Sequence, residues 1–307
     1  MLCVLCDLCA SARVKMQIIK ARVLGFCMGV RRAVDIAHEE ARLAGGKPVF
    51  TLGPLIHNPK VLNDLKAAGI QAIEELPSSN QCSIIIRAHG ISPVIEKDLL
   101  DKDYRIVDAT CPKVKKNQLK VRELINQGYF LFLAGEENHA EVKGLLGYAE
   151  QREKRIEIKY VVVSNIEEAR KISDNLNKTG KNFKTALLGQ TTISQDEFFH
   201  IAEEIKTFFP DLEIINTICD ATSERQQALR EILPQVDAVI VAGGEESANT
   251  RCLFAIAKES GKPAVLVESA SDIPNEFFKF ETVGLCAGAS TPDSVVNDIE
   301  KTLAKGF

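Results

Sequence analysis

The stretch YFLFLAGEENHAEVKG (residues 129–144) contains the pattern that decides the fold: an apolar strand, a polar loop and the start of a helix. The chain repeats this order, and the apolar strand patterns number six: MQIIKARVLGF (16–26), SIIIRAHG (83–90), YFLFLAG (129–135), KTALLGQ (184–190), DAVIVAGG (237–244) and ETVGLCAG (281–288). Strands that alternate with amphipathic helices predict an α/β fold with parallel sheets, in which ligands bind at the carboxyl ends of the strands.

The repetition also predicts the domain organisation, because no Gly/Ser-rich linker divides the chain. We expect three similar α/β lobes that meet near Cys111 and Cys219 and surround a shared centre. The predicted lobes are residues 16–110, 111–218 and 219–307.

Composition excludes several classes of protein. The 307 residues have a net charge of -4, which argues against nucleic acid as the main partner. No apolar run approaches the roughly 20 residues of a membrane span, and the N-terminus lacks the features of a signal peptide. We therefore expect a cytoplasmic protein, in which nine cysteines favour metal or catalytic roles over disulfides.

The first fifteen residues, MLCVLCDLCASARVK, place Cys3, Cys6 and Cys9 at C-x-x-C-x-x-C spacing. This spacing is similar to part of a ferredoxin ligand run, but the fourth cysteine, followed by proline, is missing. We expect residues 1–15 to be a leader without a fold of its own.

Three other cysteines lie where a strand or loop passes into a helix: Cys27 in GFCMGV, Cys111 in DATCPKV and Cys219 in TICDATS. A helix N-terminus lowers the pKa of a thiol and offers N–H groups to sulfur. One such cysteine per lobe predicts a metal site with three thiolate ligands and one open position. Zinc closed by a histidine and a [4Fe–4S] cluster both suit this ligand set.

Polar side chains follow the predicted strands. His57, His89 and His139 lie in loops after apolar runs, and the remaining strand ends carry Thr191, Thr192, Ser247, Asn249 and Ser290. Uncharged donors, histidines and helix N-termini that converge on one pocket predict a site for a phosphate or diphosphate. No Walker A or G-x-G-x-x-G stretch indicates a nucleotide.

Glu141, two residues after His139, is the one carboxylate in this set and is a candidate proton donor. The H-x-E pair also occurs in zinc deaminases, but their P-C-x-x-C partner is absent from the sequence.

Taken together, these motifs resemble the 4-hydroxy-3-methylbut-2-enyl diphosphate reductase family. The resemblance runs from about Met16 to the C-terminus and rests on GFCMGV, HNP, AHG, DATCP, H-x-E-V-x-G, QTT, C-x-A-T-x-x-R-Q, the Ser-x-Asn stretch and GAS-x-PD, in that order. It implies a trefoil-like arrangement of three α/β lobes around one [4Fe–4S] cluster held by Cys27, Cys111 and Cys219.

The resemblance also implies the roles of the other residues. His57, His89, His139, Thr191, Ser247, Asn249 and Ser290 would line the pocket for substrate and diphosphate. Glu141 would supply protons, and Thr191 would order the substrate hydroxyl. The implied reaction removes this hydroxyl to give isopentenyl and dimethylallyl diphosphate, with two electrons from ferredoxin or flavodoxin.

The sequence departs from the family pattern at three positions. Ala248 stands where the family usually has a second serine, Glu246 where it has asparagine, and Ala140 where it has proline. Two alternatives remain open: a hydro-lyase that uses a similar cluster without net reduction, and a non-catalytic iron–sulfur sensor.

Overall fold

The computed structural model describes residues 16–151 and 160–305, so the predicted leader and its three cysteines lie outside the described residues. The described residues form twelve strands, ten α-helices and three short 3-10 helices. They begin with strand β1 (Gln17–Lys20) and helix α1 (Met28–Leu43).

The first complete sheet is built from the chain that follows α1. Its strands and helices, in chain order, are β2 (Val49–Leu52), α2 (Pro59–Ala67), β3 (Ile70–Ile73), β4 (Ser83–Ile86), α3 (Pro93–Asp101), β5 (Arg105–Asp108) and α4 (Pro112–Asn126). The four strands are parallel, in the order β3-β2-β4-β5.

The second sheet repeats this arrangement. Its elements are β6 (Phe130–Ala134), α5 (Ala140–Glu150), β7 (Tyr160–Val163), α6 (Ile166–Lys178), β8 (Thr185–Gly189), α7 (Gln195–Lys206), β9 (Glu213–Ile215) and α8 (Asp220–Ile232). The parallel strands lie in the order β7-β6-β8-β9.

The third sheet combines the two ends of the described chain. Its C-terminal elements are β10 (Ala238–Ala242), α9 (Ala248–Glu259), β11 (Ala264–Val267), β12 (Thr282–Ala287) and α10 (Asp293–Lys305). Strand β1 pairs in parallel with β12, which gives the order β1-β12-β10-β11.

The three sheets therefore share one topology, and the predicted α/β fold with three similar lobes is confirmed. β1 occupies the edge position of β5 and β9, and α1, α4 and α8 follow these three edge strands. The predicted first lobe, residues 16–110, thus includes a strand that belongs to the sheet of the third lobe. The lobe boundaries near Cys111 and Cys219 stay a prediction.

Each sheet is covered on both faces, which explains the apolar runs in its central strands. In β6, Phe130 and Phe132 pack against α7 residues, whereas Leu131 and Leu133 pack against residues of α4 and α5. A strand that is buried on both sides shows no alternation of polar and apolar residues. In this way the core fixes the carboxyl ends of the strands, from which the polar loops extend.

Six of the twelve strands were not predicted from the sequence: β2, β3, β5, β7, β9 and β11. All except β2 are edge strands, and their residues are largely half-buried or exposed. The predicted first strand, residues 16–26, is also too long. It ends at Lys20, and Gly25 adopts a φ of 77° in the loop before α1.

None of the helices in the two described segments is long and apolar enough to cross a lipid bilayer.

Candidate active site

The three cysteines singled out in the sequence all begin helices. Cys27 is the N-cap residue of α1, Cys111 of α4 and Cys219 of α8, and all three are half-buried. The Cys27 sulfur accepts a hydrogen bond from the backbone N–H of Val30 at 3.4 Å. These helices follow the three equivalent edge strands, so the pseudo-threefold fold supplies one thiol from each repeat.

The backbone of each cysteine is bonded to a loop that carries a candidate binding residue. The N–H of Cys27 donates to the carbonyl of Ala289, that of Cys111 to Ala88 and that of Cys219 to Thr191, over 3.0, 3.0 and 2.9 Å. His89 and Ser290 come directly after Ala88 and Ala289. Backbone hydrogen bonds therefore connect the predicted metal site directly to the loops of the predicted anion site.

Gly29, which has no side chain, leaves room for the thiols of Cys111 and Cys27. A Cβ atom added at Gly29 would lie 2.6 Å from the sulfur of Cys111 and 3.9 Å from that of Cys27. Burial raises the pKa of Cys111 and Cys219, and the neighbouring thiols add to this effect. The predicted lowering by the helix N-termini is present, through backbone N–H groups, but burial outweighs it. Thiolates of Cys111 and Cys219 therefore require a positively charged group, such as a metal centre, bound to their sulfur atoms.

The spacing of the thiols favours a cluster over a single zinc ion. Among the described residues, the three histidines alone form a group of three possible metal ligands whose ligand atoms lie within 4.8 Å of one another. Thiolates around one zinc would be about 3.8 Å apart, because each Zn–S bond is about 2.3 Å long. The sulfurs of Cys27, Cys111 and Cys219 do not all lie within 4.8 Å of one another, an arrangement that suits a larger group such as an iron–sulfur cluster.

His57, His89 and His139 also meet, as their equivalent loops suggest. The ring centroids of His89 lie 4.9 Å from His57 and 5.4 Å from His139. Burial lowers the pKa of all three rings, that of His139 to about 4 and that of His89 well below its ordinary value. The Nδ1 atom of His89 is buried without a hydrogen-bond partner.

The hydrogen bond of His139 distinguishes an anion site from a metal site at these rings. Its Nδ1 accepts the backbone N–H of Glu141 at 3.2 Å, so the neutral ring carries its proton on Nε2. An Nε2–H group donates to an anion but cannot ligate a metal without changing tautomer. The histidine group therefore suits a phosphate oxygen better than a metal ion.

Glu141 is buried beside these rings, with 1% of its surface exposed. Its carboxylate accepts the backbone N–H of Thr191 at 2.9 Å and the Thr191 hydroxyl at 2.6 Å. Burial raises its pKa to about 7, against the two bonds from Thr191. Near neutral pH the group can both hold and release a proton, as a general acid requires.

The third repeat contributes hydroxyl and amide groups. Ser247 is the N-cap residue of α9, and its hydroxyl lies 3.3 Å from that of Ser290, which also donates to the carbonyl of His57 at 3.2 Å. Both side-chain polar atoms of Asn249 are buried without a partner. Unsatisfied buried amide groups at a helix N-terminus fit an anion that binds there.

Sequence reasoning missed Arg87, which follows β4 directly. Its Nη1 atom would lie 2.5 Å from a Cβ added at Gly53, its Nε is buried without a partner, and its charge acts on all three histidines. The signal was present in SIIIRAHG, where a cation ends an otherwise apolar strand.

A cavity of about 800 Å³ lies between the second and third repeats, with Gln190, Thr192 and Ala248 in its wall. Arg251 crosses it to form an ion pair with Glu136 at 2.7 Å. Ala248 thus faces this cavity between two lobes, and Glu246 nearby is exposed.

The remaining cysteines and histidines of the described residues lie in the core or on helices. Cys82 and Cys286 are buried in the core, and Cys252 is half-buried within α9. His38 and His200 lie on the exposed faces of α1 and α7.

Comparisons with known proteins agree with this geometry. The family model described as "LytB protein" matches residues 18–304. A 4-hydroxy-3-methylbut-2-enyl diphosphate reductase of Treponema denticola is 41% identical over 95% of this chain and 100% of its own length. The enzyme of the same name from Aquifex aeolicus is 38% identical over 94% of this chain and 96% of its own.

Two solved structures are similar. One is the E-1-hydroxy-2-methyl-but-2-enyl-4-diphosphate reductase of Plasmodium falciparum, with a TM-score of 0.84 and 29% identity over 94% of this chain and 87% of that one. The other, described as the terminal enzyme of the non-mevalonate pathway, has a TM-score of 0.67 and 37% identity over 94% and 99% of the two chains.

Proposed function

The chain belongs to the LytB protein family, and we propose that it performs the family's reductive chemistry with a [4Fe–4S] cluster held by Cys27, Cys111 and Cys219. It is an oxidoreductase that acts on 4-hydroxy-3-methylbut-2-enyl diphosphate. The observation that carries the cluster assignment is the set of three half-buried thiols at three equivalent helix N-termini.

The overall reaction fixes what the site must supply. The substrate takes up two electrons and two protons, its C–O bond breaks, and water leaves with isopentenyl or dimethylallyl diphosphate as the product. When bound, a cluster with one iron free of protein ligands supplies electrons and a Lewis-acidic position for the substrate oxygen. We assign the electron donor as ferredoxin or flavodoxin.

Binding of the diphosphate falls to the polar loops of all three repeats. The donors are the Nε2–H group of His139, the rings of His57 and His89, and the side chains of Ser247, Asn249 and Ser290. Each donates a hydrogen bond to a charged oxygen, which is stronger than a bond between neutral groups. The buried, unpartnered Nδ2 group of Asn249 gains an acceptor when an anion binds.

Proton delivery falls to Glu141. Its carboxyl group lies in a dry site, and the hydroxyl and N–H groups of Thr191 fix its orientation. A pKa of about 7 keeps a proton available near neutral pH, whereas an ordinary glutamate would be ionised. Thr191 therefore acts through Glu141 as well as by ordering the substrate hydroxyl.

Iron content and dependence on reductant test this function together. Protein purified without oxygen should be brown, carry about four irons per chain and convert substrate only when a reductant is present. Replacement of Cys27, Cys111 or Cys219 by serine should abolish activity, and mass spectrometry and iron analysis should show fewer irons.

Cys252→Ser is the matched control, because this half-buried cysteine lies within α9 and accepts a hydrogen bond from Gln226. It should retain iron and turnover, as should a variant that lacks Cys3, Cys6 and Cys9 together. Colourless protein with stoichiometric zinc would contradict the cluster assignment. Turnover without a reductant would instead assign a hydro-lyase.

A further inference from the structure

Three hydrogen bonds join the cysteine-bearing helices into a closed ring. In each, a side chain five or six residues after one cysteine donates to a backbone carbonyl one or two residues before the next. The bonds run from Arg32 Nη1 to Thr110 O at 3.1 Å, from Asn117 Nδ2 to Thr217 O at 3.3 Å, and from Arg225 Nη2 to Gly25 O at 2.6 Å.

The three donors differ in charge and burial. Asn117 is neutral, and the guanidinium of Arg32 is partly exposed. Arg225 is a cation with only 4% of its surface exposed, although it occupies the same position relative to its cysteine as Asn117. A neutral amide suffices for this bond in one repeat, so the bond alone does not explain a buried cation in another.

Arg225 has no carboxylate partner among the ion pairs of the described residues. Its Nη1 donates to the carbonyl of Ala221 at 2.6 Å, and its Nε is buried without any partner. Burial lowers the pKa of Arg225, and the groups that oppose this effect are first Cys27 and Cys219 and then Glu224. A buried cation without a counter-charge is strongly unfavourable, which points to an anion at the thiols.

We propose that Arg225 is a positioning residue whose guanidinium supplies the positive charge that balances an anionic iron–sulfur cluster on Cys27, Cys111 and Cys219. This inference rests on the proposed function, because it requires that the cluster binds. The charge stabilises the reduced, more negative cluster most, so it raises the reduction potential and slows the loss of iron.

Two variants separate the charge from the hydrogen bond. Arg225→Gln keeps a donor for the carbonyl of Gly25 and removes the charge, whereas Arg225→Lys keeps the charge and loses the planar fork. Arg230→Gln is the control on the same helix, since Arg230 forms an ion pair with Asp196 near the surface. Each protein is measured without iron and after anaerobic reconstitution.

The expected effect of Arg225→Gln on stability has opposite directions in the iron-free protein and in the protein with the cluster. Without iron, Arg225→Gln should melt at or above the temperature of the wild type, because the unpaired charge is gone. With the cluster, it should lose iron to a chelator about 10–100-fold faster and show a lower reduction potential by spectroelectrochemical titration. Arg225→Lys should lie closer to the wild type in both measurements, and Arg230→Gln should match the wild type.

Each other outcome overturns the assignment in a recognisable way. If iron-free Arg225→Gln melts below the iron-free wild type, Arg225 serves as a tether between helices. If Arg225→Gln and Arg225→Lys lose iron equally fast, the fork and not the charge is required. If the wild type itself takes up no iron, the proposed function fails before this inference is reached.

Discussion

At the scale of single residues, the fold raises the pKa of Glu141, which suits this carboxyl group to proton donation. Its pKa of about 7 in the folded protein lies above the ordinary value of 4.5. The folded protein therefore holds a proton that the unfolded chain releases, and the resulting stability is lost as the pH rises through about 7. Glu141→Gln keeps the shape but removes this titration.

We expect the wild type to lose more thermal stability than Glu141→Gln between about pH 5 and about pH 8. The variant should also keep its iron and its affinity for substrate while turnover falls by about 10²–10⁴-fold, the usual contribution of general acid catalysis. Calorimetric melting at both pH values and single-turnover kinetics check the two parts. Equal pH dependence in the two proteins would show that the carboxyl is not buried in solution.

At the scale of elements, the first turn of α9 combines an engaged hydroxyl, a small apolar residue and an unpartnered amide. Ser247 Oγ already accepts the N–H of Thr250 at 3.4 Å, whereas both polar atoms of Asn249 lack partners. A hydrogen bond to a charged group is worth about 1.5–3 kcal/mol, so Asn249→Ala should weaken diphosphate binding about 10–150-fold.

Ala248→Ser is the comparison within the same turn, since it adds the hydroxyl that the family pattern usually has. A full additional bond would tighten binding by roughly fivefold. We expect less, because free backbone N–H groups at the start of α9 already serve the same oxygens. Titration calorimetry with substrate decides the case, and a fivefold gain would show that the missing hydroxyl matters.

At the scale of elements, the sequence was sufficient to predict some strands and not others. Buried central strands such as β6, β8, β10 and β12 were predictable, because largely apolar runs that end at or just before a glycine leave few alternatives. Short, half-exposed edge strands such as β5 and β9 were not, because only their partners define them. The cysteines and histidines of the candidate site were predicted from residue type and position. Arg225 belongs to the C-x-A-T-x-x-R-Q motif, but no role was predicted for it, because the burial of a cation has no local signature.

At the scale of the whole molecule, the repeat is complete only when the two ends of the chain meet. β1 is the edge strand of the third sheet and α1 follows it, just as β5 is the edge strand of the first sheet and α4 follows it. Cys27 at the start of α1 therefore completes the third repeat. No local pattern could reveal this pairing, which joins residues about 265 positions apart. The site therefore depends on all three lobes and on the pairing of β1 with β12.

The charge of the molecule gives the last prediction. The protein carries a net charge of -4 and binds an anion, while burial lowers the pKa of His57, His89 and His139 and leaves their rings neutral. A bound diphosphate favours protonated rings at His57 and His89, whereas His139 stays neutral because its Nδ1 accepts the N–H of Glu141, so binding should take up protons near pH 6.5 and weaken as the pH rises. Calorimetric titration with inorganic diphosphate, in two buffers of different ionisation enthalpy, measures the protons taken up. His57→Asn should reduce the number, whereas His38→Asn, on the exposed face of α1, should leave it unchanged. An affinity that does not vary between about pH 6 and about pH 8 would mean that neutral rings bind the anion through N–H donation alone.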